Sequence, residues 1–210
     1  MKLKFRDLQD LHDLSSYLTR AKRMDESGLA KLKSFGDVLA VYVSPIFSGN
    51  LLDDGPTVIG LRTVAISADS SVDLAFEISA ILERIAGVGE DLELPLPPVA
   101  SRAAWTGVTP PRTDWELFEV LQQSELTQWA KNGIAEVASS LPDSIGVAIA
   151  NKVRSQIWGK KVGVTQLFPA GCAFGLVGLG FLSPGETVKL YRTKGWVRLE
   201  TKYGHVMAKA

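Results

Sequence analysis

The feature that most constrains this chain is a long run without charge, since no Asp, Glu, Lys or Arg occurs from Val162 to Gly185. A run of this length is sufficient for a membrane-spanning helix. Its composition argues against one, because Gln166, two prolines and several glycines lower the free energy gained by transfer into lipid. Its most apolar part, Ala170 to Leu182, has the length of a buried core helix. We therefore expect a buried helix in a soluble protein that does not enter a membrane.

The remaining composition is that of an ordinary globular protein. Of the 210 residues, 46% are hydrophobic and 22% are charged, which excludes a disordered or fibrous chain. The single cysteine, Cys172, cannot form an intramolecular disulfide or a cysteine-based zinc site. The first residues carry charges and no apolar run, so they do not read as a signal peptide. These features favour a cytoplasmic location.

Periodicity predicts an α-β-β-α unit over residues 1–93. Apolar residues at three- and four-residue spacing predict a helix from Phe5 to Lys22. Two runs rich in β-branched residues, Val38–Val43 and Thr57–Ser67, predict strands. A capping-box pattern that begins at Ser70 predicts the second helix. Two strands and two helices indicate a small sheet with helices against one face.

A proline-rich connector is predicted over residues 94–112, because Leu94-Pro95-Leu96-Pro97-Pro98 favours a stiff, extended chain. Residues 113–210 then form a predicted helical unit. Its expected helices run from Thr113 to about Ser139, from Asp143 or Ser144 to Ile157, and over 168–179. The first of them is expected to break near Gln122 to Ser124 or at Asn132-Gly133.

After Thr187 the apolar period changes from that of a helix to that of a strand. Three short runs separated by turn residues predict a three-stranded antiparallel meander that closes the C-terminal half. The predicted fold class is therefore α+β, with an N-terminal α-β-β-α unit and a helical C-terminal half.

The formal charge of the chain is zero, but the charges are unevenly distributed. Residues 34–98 carry 2 basic and 10 acidic side chains, whereas residues 151–210 carry 10 and 2. A basic block of this kind is typical of an anion-binding surface. The candidates for such a surface are Lys160, Lys161, Lys189 and Arg192. In the alternative interpretation, the basic end packs against the acidic half or associates head to tail with another copy.

Alternation along the predicted meander indicates a second candidate surface. If Val197 and Leu199 face the core, Trp196 and Arg198 point to the other face, with Tyr203 beside them across the hairpin. Trp, Tyr and Arg dominate the energetics of protein interfaces, so these three residues are candidates for binding a partner. The alternative is that Trp196 is a core residue, since large aromatic side chains are usually mostly buried.

Familiar catalytic and cofactor motifs do not occur in the sequence. There is no GxxxxGK[ST] phosphate loop, no GxSxG elbow, no HExxH helix and no EF-hand loop. The two histidines, His12 and His205, offer few options for imidazole catalysis. We therefore assign no catalytic residue, no metal ligand and no cofactor. An enzyme whose carboxylates converge only in the folded chain is the third alternative for function.

Several short segments carry a resemblance to known proteins. These segments are Gly180-Phe181-Leu182, Gly195-Trp196-Val197-x-Leu199, Tyr203-Gly204 and the earlier Leu96-Pro97-Pro98. Through them the chain resembles a family of conserved actinobacterial proteins of unknown function. The resemblance lies mainly in the C-terminal half. It implies no activity, cofactor or site residue.

These observations predict a non-catalytic binding or assembly protein that binds a protein partner or self-associates as a homo-oligomer. The alternative is a nucleic-acid-binding protein that uses the basic C-terminal half. Against that alternative, the predicted helix Phe168 to Leu179 has no charged or amide side chain with which to read bases.

Overall fold

The computed structural model describes residues 1–47, 55–108, 110–141, 146–163 and 167–209. The chain divides into two compact units. The first consists of Met1–Pro45 and Leu61–Gly107, and the second of Ile46–Gly60 and Val108–Ala210. Helices and antiparallel strands occur in both units, which confirms the predicted α+β class.

The first unit is built from strands, two α-helices and one 3-10 turn. Its elements are β1 (Lys2–Lys4), α1 (Leu8–Met24), β2 (Leu29–Phe35), β3 (Val38–Ile46), β4 (Val58–Ala65), β5 (Asp73–Glu77), α2 (Ile78–Ile85), β6 (Glu93–Pro95) and the turn Ala104–Gly107. The ends of β3 and β4 at Ile46 and Val58–Gly60 belong to the second unit. Four strands are neighbours in the order β5-β2-β3-β4, and β1 pairs separately with β6.

Helix α1 confirms the first predicted helix. The Asp7 side chain caps it by accepting a hydrogen bond from the backbone N–H of Asp10 at 2.8 Å. Leu11, Leu14 and Leu18 lie on one side of the helix and are buried. The apolar stripe read from the sequence is therefore the side that faces the core.

The helix predicted to begin at Ser70 is wrong over its first half. Residues Asp73–Glu77 form β5, which pairs antiparallel with β2, and α2 begins only at Ile78. Instead of capping a helix, Ser70 Oγ accepts a hydrogen bond from the backbone N–H of Lys4 at 3.1 Å. The first unit is thus β-α-β-β-β-β-α-β rather than α-β-β-α, because long-range strand pairing outweighs the local capping pattern.

The proline-rich segment begins as a strand. Residues Glu93–Pro95 form β6, which pairs antiparallel with β1 and places Leu94 opposite Leu3. Both leucines are completely buried. The backbone N–H of Ser101 donates to the carbonyl of Ala75 at 2.7 Å. Residues 94–107 therefore lie within the first unit.

The second unit contains the remaining helices and strands. These are β7 (Glu116–Gln122), α3 (Gln123–Ser140), α4 (Val147–Gly159), β8 (Lys161–Val162), β9 (Phe168–Pro169), α5 (Gly171–Gly178), β10 (Thr187–Thr193), β11 (Trp196–Thr201) and β12 (Gly204–Lys209). Four strands are neighbours in the order β12-β11-β10-β7, and β8 pairs with β9. The predicted helix start at Asp143 or Ser144 lies outside the described residues.

The helix predicted to begin at Thr113 is wrong until Gln123. The residues before it form β7, which pairs antiparallel with β10. The prediction failed because Leu117, Val120 and Leu121 have the i, i+3, i+4 spacing of a helix. In the structure a β-bulge at Phe118, which has no partner in β10, puts Leu117 and Val120 on one face of β7, while Leu121 lies on the other.

The three strands expected at the C-terminus are present as antiparallel neighbours, β10 with β11 and β11 with β12. They do not form a separate three-stranded meander that closes a helical unit, because β7 adds to β10. The prediction of a mainly helical C-terminal half is therefore wrong: this half begins and ends in strands.

Helix α5 confirms the buried helix expected in the charge-free run. Cys172, Ala173 and Leu176 are completely buried. A Cβ atom on Gly171 would lie 2.6 Å from Ile46 Cδ1, so a larger residue here would have to displace the Ile46 side chain. None of the helices in the described part of the chain is long and apolar enough to cross a membrane.

Candidate protein-binding face

Strands β7, β10 and β11 place different side chains on their two faces. One face includes the buried Leu121, Val188, Leu190 and Leu199, and it carries the charged Glu116, Glu119 and Arg192 near the β7 edge. The opposite face, which we call the aromatic face, comprises Trp115, Leu117, Val120, Tyr191 and Arg198. Its residues are half-buried or exposed, so this side of the second unit is available for contact.

Arg198 lies on the aromatic face and contacts two aromatic rings. Its guanidinium carbon is 4.8 Å from the centroid of the Trp115 ring and 4.6 Å from that of the Tyr191 ring. Tyr191 stands directly opposite Arg198 in the β10–β11 ladder, and Trp115 immediately precedes β7. These two cation–π contacts restrict the orientation of the guanidinium.

A carboxylate on the same strand completes the surroundings of Arg198. Arg198 Nη2 and Glu200 Oε2 form an ion pair at 3.0 Å, and the two residues are two apart on β11. The Nε atom of Arg198 is buried without a hydrogen-bond partner among the described residues. The guanidinium is therefore positioned rigidly while part of its hydrogen-bonding capacity is unused.

His205 lies opposite Glu200 on the neighbouring strand β12. Its Nδ1 atom is 3.9 Å from Glu200 Oε2. Burial lowers the pKa of His205, and the nearby Arg198 lowers it further, while Glu200 acts in the opposite direction. The lowered pKa favours the neutral imidazole, and Arg198 is the cation that forms an ion pair with Glu200.

Exposed apolar side chains border the aromatic cluster on β7. Leu117 is 55% exposed and Val120 is 49% exposed, although both belong to a strand. Leu117 stands opposite Tyr191, so it adjoins the ring that contacts Arg198. Aromatic and arginine side chains beside exposed aliphatic ones have the composition of an interface core.

The predicted partner-binding residues lie at different places. Trp196 and Arg198 are on the same side of β11, but Trp196 is only 7% exposed. Tyr203 lies in the turn between β11 and β12, where Lys202 Nζ is 4.8 Å from its ring centroid. A hydrogen bond with Ser183 and the proximity of Lys202 lower the pKa of Tyr203.

The predicted anion-binding residues point in different directions. Lys189 and Arg192 are three residues apart on β10, so they lie on opposite faces of this strand. Lys189 shares the side of the aromatic face, whereas the guanidinium of Arg192 lies 4.5 Å from the Phe118 ring centroid. Lys160 forms an ion pair with Glu136, and Lys161 is exposed on β8.

The acidic and basic blocks of the sequence do not coincide with the two units of the structure. The first unit carries 11 basic and 13 acidic residues, and the second carries 12 and 10. The basic C-terminal block shares its unit with acidic residues from β7 and α3. Ion pairs within this unit join Lys160 to Glu136 and Lys202 to Glu186.

Other potential sites offer less organised chemistry. A groove of about 440 Å³ in the first unit lies between α2 and the proline-rich segment, and its charged residues are Glu77, Glu83 and Arg84. Burial raises the pKa of the Cys172 thiol far above its usual value, so this thiol is unreactive. Within the described ranges, no three His, Cys, Asp or Glu side chains come together to hold a metal ion.

The sequence missed the two residues that surround Arg198. The signal for Tyr191 was present, because a β10–β11 hairpin with a turn at Lys194-Gly195 puts residue 191 opposite residue 198. No local signal identified Trp115, since only the long-range pairing of β7 with β10 brings it to the site.

The fold resembles that of bacterial DNA polymerase sliding clamps. A DNA polymerase sliding clamp from Caulobacter crescentus matches with a TM-score of 0.52 at 14% identity, over 100% of this chain and 65% of that chain. A putative DNA polymerase III beta subunit from Eubacterium rectale matches with a TM-score of 0.53 at 11% identity, over 100% and 64%. The DNA polymerase III subunit beta from Pseudomonas aeruginosa gives 0.52 at 12% identity, over 95% and 62%.

These matches define a class of fold and no more, since their identity to this chain is so low. The chain covers less than two thirds of the length of each of these proteins. A comparison with proteins of curated function found no match.

Family models identify the chain more closely. It belongs to the family defined by a domain of unknown function, DUF8010, whose model matches residues 1–107. The model of a second domain of unknown function, DUF8185, matches residues 110–210. The two matches meet where the structure divides the chain, after Gly107. The predicted membership of a conserved family of unknown function is therefore confirmed.

Proposed function

We propose that this chain is a non-catalytic protein-binding or assembly module that engages its partner through the aromatic face of the second unit. The observation that carries the proposal is the position of Arg198, which contacts the rings of Trp115 and Tyr191 on the same face as exposed Leu117 and Val120. Residues of these types, already ordered, lose little conformational entropy when a partner binds.

The charge distribution supports a protein partner over a nucleic acid. The second unit has a net charge of only +2. Lys189 and Arg192, two of the candidate anion-binding residues, lie on opposite faces of one strand, and Lys160 is paired with Glu136. A phosphate backbone is bound by several cations that act on one surface, and its affinity is salt-dependent for that reason.

The fold supports the proposal in a second way. The matched structures include DNA polymerase sliding clamps, which are described as subunits of a larger assembly or as clamps. A chain with the same class of fold and without recognised catalytic motifs suits a role in assembly. The partner can be a second copy of this chain or a different protein, and the test distinguishes the two.

Site-specific photocrosslinking tests the proposal. A benzoylphenylalanine residue replaces Leu117 in the full-length protein, which is expressed in its source cells and irradiated. The matched control carries the same residue at Leu8, which is 53% exposed and lies in the first unit. We expect protein adducts at position 117 and few at position 8.

The identity of the adduct decides between the alternatives. A crosslink to the same chain indicates self-assembly, and a crosslink to another protein indicates a distinct partner. Equal adduct formation at both positions would contradict the proposal. Adducts with nucleic acid at position 117 would instead support the alternative function.

A further inference from the structure

The free edge of β7 extends the aromatic face into a second kind of binding surface. Among the described residues, β7 pairs only with β10, so one side of this seven-residue strand has no neighbouring strand. Exposed strand edges present unpaired N–H and C=O groups that can pair with another extended chain.

The register identifies which backbone groups of β7 point outward. The N–H of Gln123 donates to the carbonyl of Glu186, and residues 122, 121, 120 and 119 stand opposite 187, 188, 189 and 190. Hydrogen-bonded and non-hydrogen-bonded pairs alternate along an antiparallel ladder. Val120 and Gln122 therefore direct their N–H and C=O groups away from β10.

One of these two positions is already occupied. The N–H of Gln122 donates to Glu125 Oε2 at 3.1 Å in the capping box of α3. Val120 is left as the residue whose N–H and C=O face the open side of the strand. It is also one of the exposed residues of the aromatic face, so a chain that pairs here contacts both surfaces.

The two faces of β7 beside this edge differ in character. Leu117 and Val120 lie on the aromatic face, and Glu116 and Glu119 lie on the opposite face. Glu116 stands opposite Arg192, whereas Glu119 stands opposite Leu190. One carboxylate oxygen of Glu119 is buried without a hydrogen-bond partner in the described part of the chain. A cationic side chain beside Glu119 would offset the charge of this half-buried carboxylate.

The acidic residues also disfavour a second copy of β7 as the neighbour. Residues 112–125 carry 4 acidic side chains and only 1 basic side chain. Symmetric antiparallel pairing of two β7 strands would collect Glu116 and Glu119 of both copies on one face. Like charges this close destabilise a strand pair. The edge therefore favours a strand of opposite charge.

From these observations we infer that the β7 edge binds an extended protein segment whose side chains alternate between apolar and basic. This inference rests on the proposed protein-binding function and names the chemistry of the partner. The segment adds as a strand, with main-chain hydrogen bonds at Val120. Its apolar side chains contact Leu117 and Val120, and its basic side chains lie beside Glu119.

A fluorescent synthetic peptide in which valine and lysine alternate serves as the probe, with an alternating valine–glutamate peptide as its control. Binding to the full-length protein is measured by fluorescence anisotropy at physiological salt. We expect the lysine peptide to bind about tenfold more tightly than the glutamate peptide or better, a difference of ~1.4 kcal/mol. Glu119→Gln should reduce this preference.

Val120→Pro is the decisive variant, because it removes the outward N–H and leaves the ladder to β10 intact. The matched control, Val120→Thr, keeps both the N–H and a β-branched side chain. We expect about tenfold weaker binding by the proline variant and about the same affinity for the threonine variant. If the proline variant fails to fold, Leu117→Lys replaces it, since a cation at this exposed position repels the probe.

Two results would overturn the inference. In the first, both peptides bind equally well. In the second, Val120→Pro folds and retains full affinity while Leu117→Lys loses it, which would mean that the face binds without strand addition. Either result leaves the proposed function to be judged separately by the crosslinks formed at position 117.

Discussion

Strands β5 and β7 occupy similar positions in their units, but their outer edges are treated differently. At β5 the edge is closed, because the N–H of Ser101 donates to the carbonyl of Ala75 at 2.7 Å. Asp73 at the beginning of this strand is held by ion pairs to Lys31 and Lys33. The first unit thus covers its edge with its own chain and neutralises the charge there.

At β7 the edge has no neighbouring strand among the described residues, and some of its side chains lack packing or hydrogen-bond partners there. Leu117 and Val120 are about half exposed, and one oxygen of Glu119 is buried without a partner among the described residues. Among the described residues, the bulge at Phe118 and the acidic side chains are the features that protect this edge against unspecific pairing. This difference between the two edges is what led us to propose the β7 edge as a binding surface.

The largest expected effect comes from the interior that supports the open edge. Trp196 lies on the same side of β11 as Arg198 and is 7% exposed. We expect Trp196→Ala to lower the free energy of unfolding by about 3–5 kcal/mol, because it leaves a large cavity. Urea unfolding measures this, with Leu117→Ala as the exposed control that changes stability by no more than ~0.5 kcal/mol. If Trp196→Ala leaves the urea midpoint unchanged and abolishes self-association, Trp196 is an interface residue and not a core residue.

A matched pair of proline substitutions tests the comparison of the edges directly. Ser101→Pro removes the N–H that closes β5, so we expect a loss of about 1 kcal/mol in unfolding free energy. Val120→Pro removes an N–H that points away from β10, so we expect a loss below ~0.5 kcal/mol. Thermal unfolding of the two variants compares them. Equal losses would mean that the β7 edge is also closed.

The smallest effect concerns the charge at the closed edge. Hydrogen bonds from Lys31 and Lys33 lower the pKa of Asp73 below the usual value for an aspartate. This carboxylate therefore contributes stability at neutral pH, and the contribution is lost as the pH falls through its lowered pKa, because the unfolded chain takes up the proton first. Since the Asp73 side chain is 54% exposed, solvent screening limits the contribution to about 0.5 kcal/mol.

Asp73→Asn should remove that contribution at pH 7 and flatten the acid side of the stability profile below about pH 4. Chemical unfolding at a series of pH values measures both changes. Asp69→Asn, at an exposed aspartate outside this cluster, is the control. If the unfolding free energy of Asp73→Asn falls with decreasing pH as steeply as that of the unaltered protein, the ion pairs contribute nothing.

The elements predicted correctly are those whose signal is local. Helix α1 has a continuous apolar stripe, α5 is apolar throughout, and β10 to β12 are separated by short turns. In each case neighbouring residues in the chain decide the structure. The sequence was therefore sufficient for α1, α5 and the last three strands.

The elements predicted wrongly depend on distant partners. Strand β5 pairs with β2, although β3 and β4 lie between them in the chain. Strand β7 pairs with β10, although three helices lie between them in the chain. Each has a local pattern that suits a helix, and the strand ladder outweighs it. The site was missed for the same reason, since Trp115 reaches Arg198 only through the β7–β10 pairing.

The bulge in β7 also determines how the strand can change in length. Leu117 and Val120 are three positions apart yet lie on one face, because Phe118 has no partner in β10. Without Phe118 the two residues would be two positions apart, and a regular strand would place them on that same face. The stacking of Phe118 with Arg192 would be lost, but the outward surface would be kept. A relative shorter by one residue at this point can therefore present the same surface, so a single-residue gap here is no sign of a different partner.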